Sequence, residues 1–139
     1  MAKLKKWYWK VFFSAYWLAT DLGEKKSPEW NATGFLEFIT AFNVFGIIYI
    51  ANFITGGDLP FIKLLLILTM VLSFILNKSI IYSKRAGFTK QINSYEYLSK
   101  PKMKSTRNKI ILSTLIFTFV LMILAMVINN PTVRSFFNK

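Results

Sequence analysis

Six carboxylates, eighteen lysines and arginines, and no histidine or cysteine make up the reactive inventory of this 139-residue chain. Without cysteine there is no disulfide, thiolate zinc site, iron–sulfur cluster or thiol nucleophile, and without histidine no His-based triad. The acids Asp21, Glu24 and Glu29 cluster, but Lys25 and Lys26 lie among them and make a solvated loop. Gly56-Gly57-Asp58 lacks the spacing and the lysine of a phosphate loop and reads as a turn. Two glycosylation patterns, at Asn31 and Asn77, fall on an inner segment and in an apolar run, where neither is usable. No catalytic group, metal site or cofactor is expected, and the chain reads as non-enzymatic.

Two sets of polar residues remain. Lys100, Lys102, Lys104 and Arg107, with Lys109 behind them, form a basic run suited to anionic lipid headgroups or a charged ligand. The simpler reading is topology-setting charge beside the membrane, worth about 1 kcal/mol per basic residue. The second set lies within apolar sequence. Thr69, Ser73 and Asn77 are four residues apart, so on a helix they form one stripe, and Asn43 sits in a neighbouring run. In hydrocarbon such groups seek partners, so the stripe either packs against other helices or, in an oligomer, lines a pore. Asn43 is expected to bond a carbonyl or another helix, with Ser73 within reach. Glu37, one turn inside its run, is expected to anchor at the interface by reaching Lys25, Lys26 or headgroup water, with a proton or ion site as the sharper reading. Lys63 snorkels.

The elements that carry these residues follow from composition. Hydrophobic residues make up 54% and charged residues 17%, against roughly 45–50% and about 25% in ordinary globular domains. The apolar residues come in blocks. Segments 33–54, 60–82 and 109–128 each hold about 20 residues, the length that crosses a hydrocarbon core of roughly 30 Å. Hydroxyls such as Ser113, Thr114 and Thr118 return hydrogen bonds to their own helix, and Asn129-Asn130-Pro131 stops the third span. The connector from Thr55 to Pro60 is short enough to make the first two spans antiparallel neighbours.

Residues 4–20 are aromatic and basic, and the apolar part is too short to span. Lys3, Lys6, Lys10, Ser14 and Asp21 recur as one narrow stripe beside a broad Trp, Tyr and Phe face, the pattern of an interfacial amphipathic helix. Tryptophan and tyrosine make a poor signal-peptide core, and no Ala-x-Ala site follows. The loop 83–108 holds Phe88, Ile92, Tyr95 and Leu98 at helical spacing. A short amphipathic helix there rests on the membrane or on the N-terminal helix. The expected fold is therefore an all-α membrane protein, one domain over 1–139, with three transmembrane helices, an N-terminal interfacial helix and a short cytoplasmic helix.

Lysine and arginine gather in the N-terminal segment and in the 83–108 loop, whereas the 55–60 connector has none and the C-terminal tail only Arg134 and Lys139. The positive-inside rule then puts the N-terminus and the loop in the cytoplasm and the C-terminus outside. The opening Lys5-Lys6-Trp7-Tyr8-Trp9-Lys10, the Trp30-Asn31-Ala32 ahead of the first span, Asn77-Lys78-Ser79-Ile80-Ile81-Tyr82 and Tyr95-Glu96-Tyr97-Leu98-Ser99-Lys100-Pro101-Lys102 form a recognisable layout. It resembles a loose group of small three-span bacterial membrane proteins. The resemblance implies the bacterial inner membrane and brings no activity or site residue. Expected partners are anionic lipid headgroups and other membrane protein chains or a second copy of this one. Nucleic acid is not expected. An accessory, assembly or immunity-type membrane subunit or binder fits these features, and the alternative is a homo-oligomeric channel or membrane-disrupting effector, as in defence systems.

Overall fold

Lipid selects helices because every backbone polar group must be satisfied within the segment, and the chain complies: it is an all-α membrane protein, with 90% of the described residues helical. The computed structural model describes residues 2–24, 26–55, 62–83 and 87–137. The connector glycines and Pro60, together with Lys25, Lys84, Arg85 and Lys139, lie outside the described residues. Helix α1 runs Ala2–Asp21, α2 Pro28–Ile54, α3 Ile62–Ile81, α4 Phe88–Tyr95, α5 Lys104–Ile128 and α6 Pro131–Phe137. Two 3₁₀ turns, Glu96–Ser99 and Pro101–Met103, join α4 to α5. Three of these helices, α2, α3 and α5, are long and apolar enough to cross a membrane.

The turn from α1 to α2 is built by local chemistry. Gly23 has φ +99°, a conformation that costs glycine nothing. The Gly23 N–H donates to the Thr20 carbonyl at 3.1 Å and the Glu24 N–H to Ala19 at 3.0 Å, the paired bonds of a Schellman ending. The Glu24 carboxylate then accepts the backbone N–H groups of Lys26 and Ser27 at 3.1 and 3.2 Å. Pro28 begins α2 with Glu29 in its first turn, where fixed φ and negative charge both favour a helix start.

Helix α2 is the spine, packing against α1, α3 and α5. The α2–α5 approach is closest at Gly46, where an added Cβ would stand 2.8 Å from Leu121 Cγ. Farther along, Asn129 at the end of α5 donates from its amide to the Tyr49 carbonyl of α2 at 2.7 Å. The residue that ends the third span therefore also ties it to the first. Helix α3 packs along α2 and meets α1 at Tyr8. Most of its remaining surface is apolar and outward, as are Leu112, Phe117 and Val120 of α5. The short α6 starts on Asn130, whose side chain accepts the Thr132 N–H at 2.9 Å, an N-cap bond in front of a helix opened by Pro131.

Helix α1 has more protein around it than an interfacial helix needs. From Val11 to Ala15 every residue is buried, Ser14 included. One side of α1 rests on α2 and α5, and the other is covered by α4 and the first 3₁₀ turn. The covering contacts are aromatic. Phe13 stacks on Tyr95 with ring centroids 5.1 Å apart and on Phe88 at 5.7 Å, while Phe12 meets Phe88 edge-on at 6.0 Å. Trp9, Phe12, Phe13, Leu36, Ile81 and Leu98 belong to this one core. Of the two rests expected for the loop helix, α4 takes α1. The expected polar stripe is broken at Ser14, because its hydroxyl is satisfied by the Lys10 carbonyl at 2.7 Å and so can be buried.

Candidate functional site

The end of the bundle covered by α1, α4 and the 3₁₀ turns, called here the capped end, gathers the charged residues. Lys3, Lys5, Lys6 and Lys10 of α1 are exposed, as are Lys100, Lys102 and Lys104. These two groups are about ninety positions apart in sequence, and packing brings their elements together. The Tyr95 hydroxyl donates to the Lys6 carbonyl at 3.2 Å, and α1 touches both α4 and the 3₁₀ turn at Leu98. Burial pushes the Tyr95 phenol above its ordinary range, with Tyr97 adding to the shift. Burial does the same to Tyr16 and, more strongly, to Tyr8.

Arg107 departs from the expected basic run. It is 1% exposed and therefore not a headgroup contact. Its guanidinium donates to the Leu98 carbonyl and forms an ion pair with Asp21 at the end of α1. The planar fork of arginine can hold two acceptors in fixed directions, which a lysine cannot. Arg107 thus pins the last turn of α1 and the loop to the mouth of α5. Counting charge alone places it with its lysine neighbours, although it is the only arginine of the run 100–109. Residue type is the signal that separates it, and Asp21, 86 positions away, is the partner that spacing cannot reveal.

Below the cap lies a buried polar seam. Ser73 and Asn77 of α3 are buried, and Thr69, half-buried, returns its hydroxyl to the Leu65 carbonyl at 2.7 Å. Asn77 joins three helices. Its Oδ1 accepts the Tyr8 hydroxyl of α1 at 3.0 Å, and its amide donates to Thr40 of α2 at 3.5 Å and to the Ser73 carbonyl at 2.9 Å. Asn43 does not make the expected contact with Ser73. Its Oδ1 is buried and lacks a hydrogen-bond partner, because Thr40, nearly one turn closer to the cap, is the α2 residue that meets the stripe. On α5, Thr114 and Thr118 are buried and bond back to the Ile110 and Thr114 carbonyls at 2.8 and 3.0 Å.

Glu37 lies on α2 and is half-buried. Lys25 lies outside the described residues, and no bond to Lys26 is made. Instead Glu37 Oε1 is buried without a partner. Lys78, the cation that acts on it electrostatically, places its ammonium 4.0 Å from the Phe74 ring centroid and 4.9 Å from that of Trp30. Such a cation–π seat satisfies a lysine at the end of a span.

An apolar groove of about 290 Å³ opens beside the α1–α2 turn, lined by Ala15, Leu18, Ala19, Phe35 and Ile111 with Glu24 and Asn31 at its edge. Among the described residues no group of acids could hold a metal ion. Comparison with known proteins finds no matching family model, no similar curated protein and no similar solved structure. The functional reading therefore rests on the chain's own residues.

Proposed function

We propose that this protein is a non-enzymatic membrane subunit or binder of the bacterial inner membrane, with its capped end in the cytoplasm, acting through its helices and a composite basic face. The observation that carries this reading is the junction of the two basic segments at Tyr95 and Lys6. It brings together the elements that carry the two groups of lysines, which the sequence supplies separately. Lysines on such a surface attract anionic headgroups with about 1 kcal/mol each, and the attraction is screened by salt. The positive-inside bias supports the same orientation. Anionic lipid is the first partner of this face, and other membrane chains meet the apolar outer sides of α3 and α5.

The channel alternative needs Thr69, Ser73 and Asn77 to face a shared aqueous axis. Within one chain Asn77 already spends its amide and its carbonyl on Thr40, Ser73 and Tyr8, which favours packing over a pore.

Reconstitution into nanodiscs of mixed phosphatidylethanolamine and phosphatidylglycerol tests the proposal. Lipid extracted with the protein should be enriched in phosphatidylglycerol. Lys100→Gln, Lys102→Gln and Lys104→Gln together should reduce that enrichment in a graded, salt-sensitive way. Equal enrichment in the triple variant would count against the basic face. Abolition of binding by a single substitution would replace it with a shaped ligand site.

A further inference from the structure

An ionisable group inside a span requires a partner or must become neutral, and Glu37 makes no hydrogen bond through its buried Oε1 and no ion pair. Its Oε1 is shut from solvent with no donor, and the donors around it are committed elsewhere. The Tyr8 hydroxyl serves Asn77 Oδ1, and the Asn77 amide serves Thr40 and Ser73. The Lys78 ammonium rests on the Trp30 and Phe74 rings, and the only ion pair among the described residues is the distant one between Arg107 and Asp21. The elements packed on α2 offer nothing further. Helix α1 presents Tyr8 and α3 presents Lys78, the two ionisable groups coupled electrostatically to Glu37. Helix α5 has no titratable side chain from Ile110 to its end at Ile128. Glu29, two turns earlier on α2, lies at the start of the helix, toward the cap.

We propose that Glu37 is a proton-binding site within the membrane whose resting form is the neutral carboxylic acid. The neutral acid tolerates a buried carbonyl oxygen far better than a carboxylate tolerates a buried charge. Release breaks the carboxyl O–H bond, leaves the electron pair on Glu37 and passes the proton to water at the capped end. The carboxylate then competes for the Lys78 ammonium and the Tyr8 hydroxyl. Because the Tyr8 hydroxyl is the hydrogen bond that joins α1 to Asn77 of α3, loss of the proton loosens the cap from the seam. This inference stands apart from lipid binding, since it uses none of the exposed lysines.

The test is infrared spectroscopy of the full chain, carrying isotope-labelled glutamate, in phosphatidylethanolamine–phosphatidylglycerol nanodiscs. At neutral pH the folded protein should show the C=O stretch of a protonated glutamic acid, and alkaline titration should abolish it in a one-proton step. Glu37→Gln, a neutral isostere, should fold with unchanged thermal stability and lose the band completely. Absence of the band at neutral pH would show an ionised Glu37, and persistence of the band in Glu37→Gln would assign it to another residue. Failure of Glu37→Gln to fold would show that the negative charge is needed. Each of these three results overturns the proposal.

Discussion

The two ends of this bundle are held together by different means. At the capped end Trp9, Phe12, Phe13 and Leu98 are buried to 1% exposure or less, in an aromatic core closed by Arg107. In the opposite half the helices touch along narrow lines. Leu64, Ile67, Leu68 and Leu124 face outward, and Asn129 supplies a polar tie between α2 and α5. Lipid explains the difference. A leucine on α3 gains nothing by leaving lipid for protein, so packing there depends on close approach and a few hydrogen bonds. The aromatic side of α1 and the apolar side of α4 are too short to span, and they gain by covering one another. The cap resembles the core of a small soluble domain, and the spans keep the sparse contacts of membrane helices.

That contrast can be broken most strongly at Phe13. Phe13→Ala removes a ring stacked on both Phe88 and Tyr95 and should destabilise the protein by about 3–4 kcal/mol, as buried aromatic truncations do. Leu72→Ala, on the outward side of α3, should change thermal stability in detergent very little. Equal losses at the two sites would erase the distinction between cap and spans.

Arg107→Ala comes next. It leaves the Leu98 carbonyl and the Asp21 carboxylate without their shared donor, and because Asp21 keeps partial access to water the loss should be about 2–3 kcal/mol, at or below the lower end for broken buried pairs. Limited proteolysis should then cut within 96–103 sooner than in the unaltered chain. Lys at this position should restore only part of the stability, since one ammonium cannot reproduce the fork.

Two smaller effects sharpen the account of the spans. Gly46→Val forces a side chain into Leu121 and should cost about 2 kcal/mol by overpacking. Asn77→Leu removes the junction of α1, α2 and α3 and should cost about 1 kcal/mol, near the usual worth of interhelical hydrogen bonds in membranes. Thermal unfolding in a single detergent ranks all of these variants.

The three spans were legible because lipid imposes a length and an apolar composition that few other segments meet. Helix starts lay earlier than the apolar runs, at Pro28 and Lys104, because a helix continues through polar residues that hydropathy alone excludes. The placement of α1 was only half legible. Its aromatic face announces burial, but whether lipid or protein covers that face depends on α4, which lies about seventy residues away. Helix α6 had a readable signal in Asn130 followed by Pro131, a cap residue before a helix-starting proline. At the candidate site the exposed lysines could be read from charge. Arg107, Glu37 and Asn43 could not be placed, since each depends on what a neighbouring helix presents at the same depth.

The central claim is that α1 does not cross the membrane but caps the same end as the basic loop. Because the chain has no cysteine, single cysteines at Lys10, Asn93 and Thr132, all exposed, can be tested with a membrane-impermeant maleimide in oriented vesicles. The account predicts that Lys10→Cys and Asn93→Cys react from one side and Thr132→Cys from the other. Reaction of Lys10→Cys from the side of Thr132→Cys, with Asn93→Cys opposite, would contradict it.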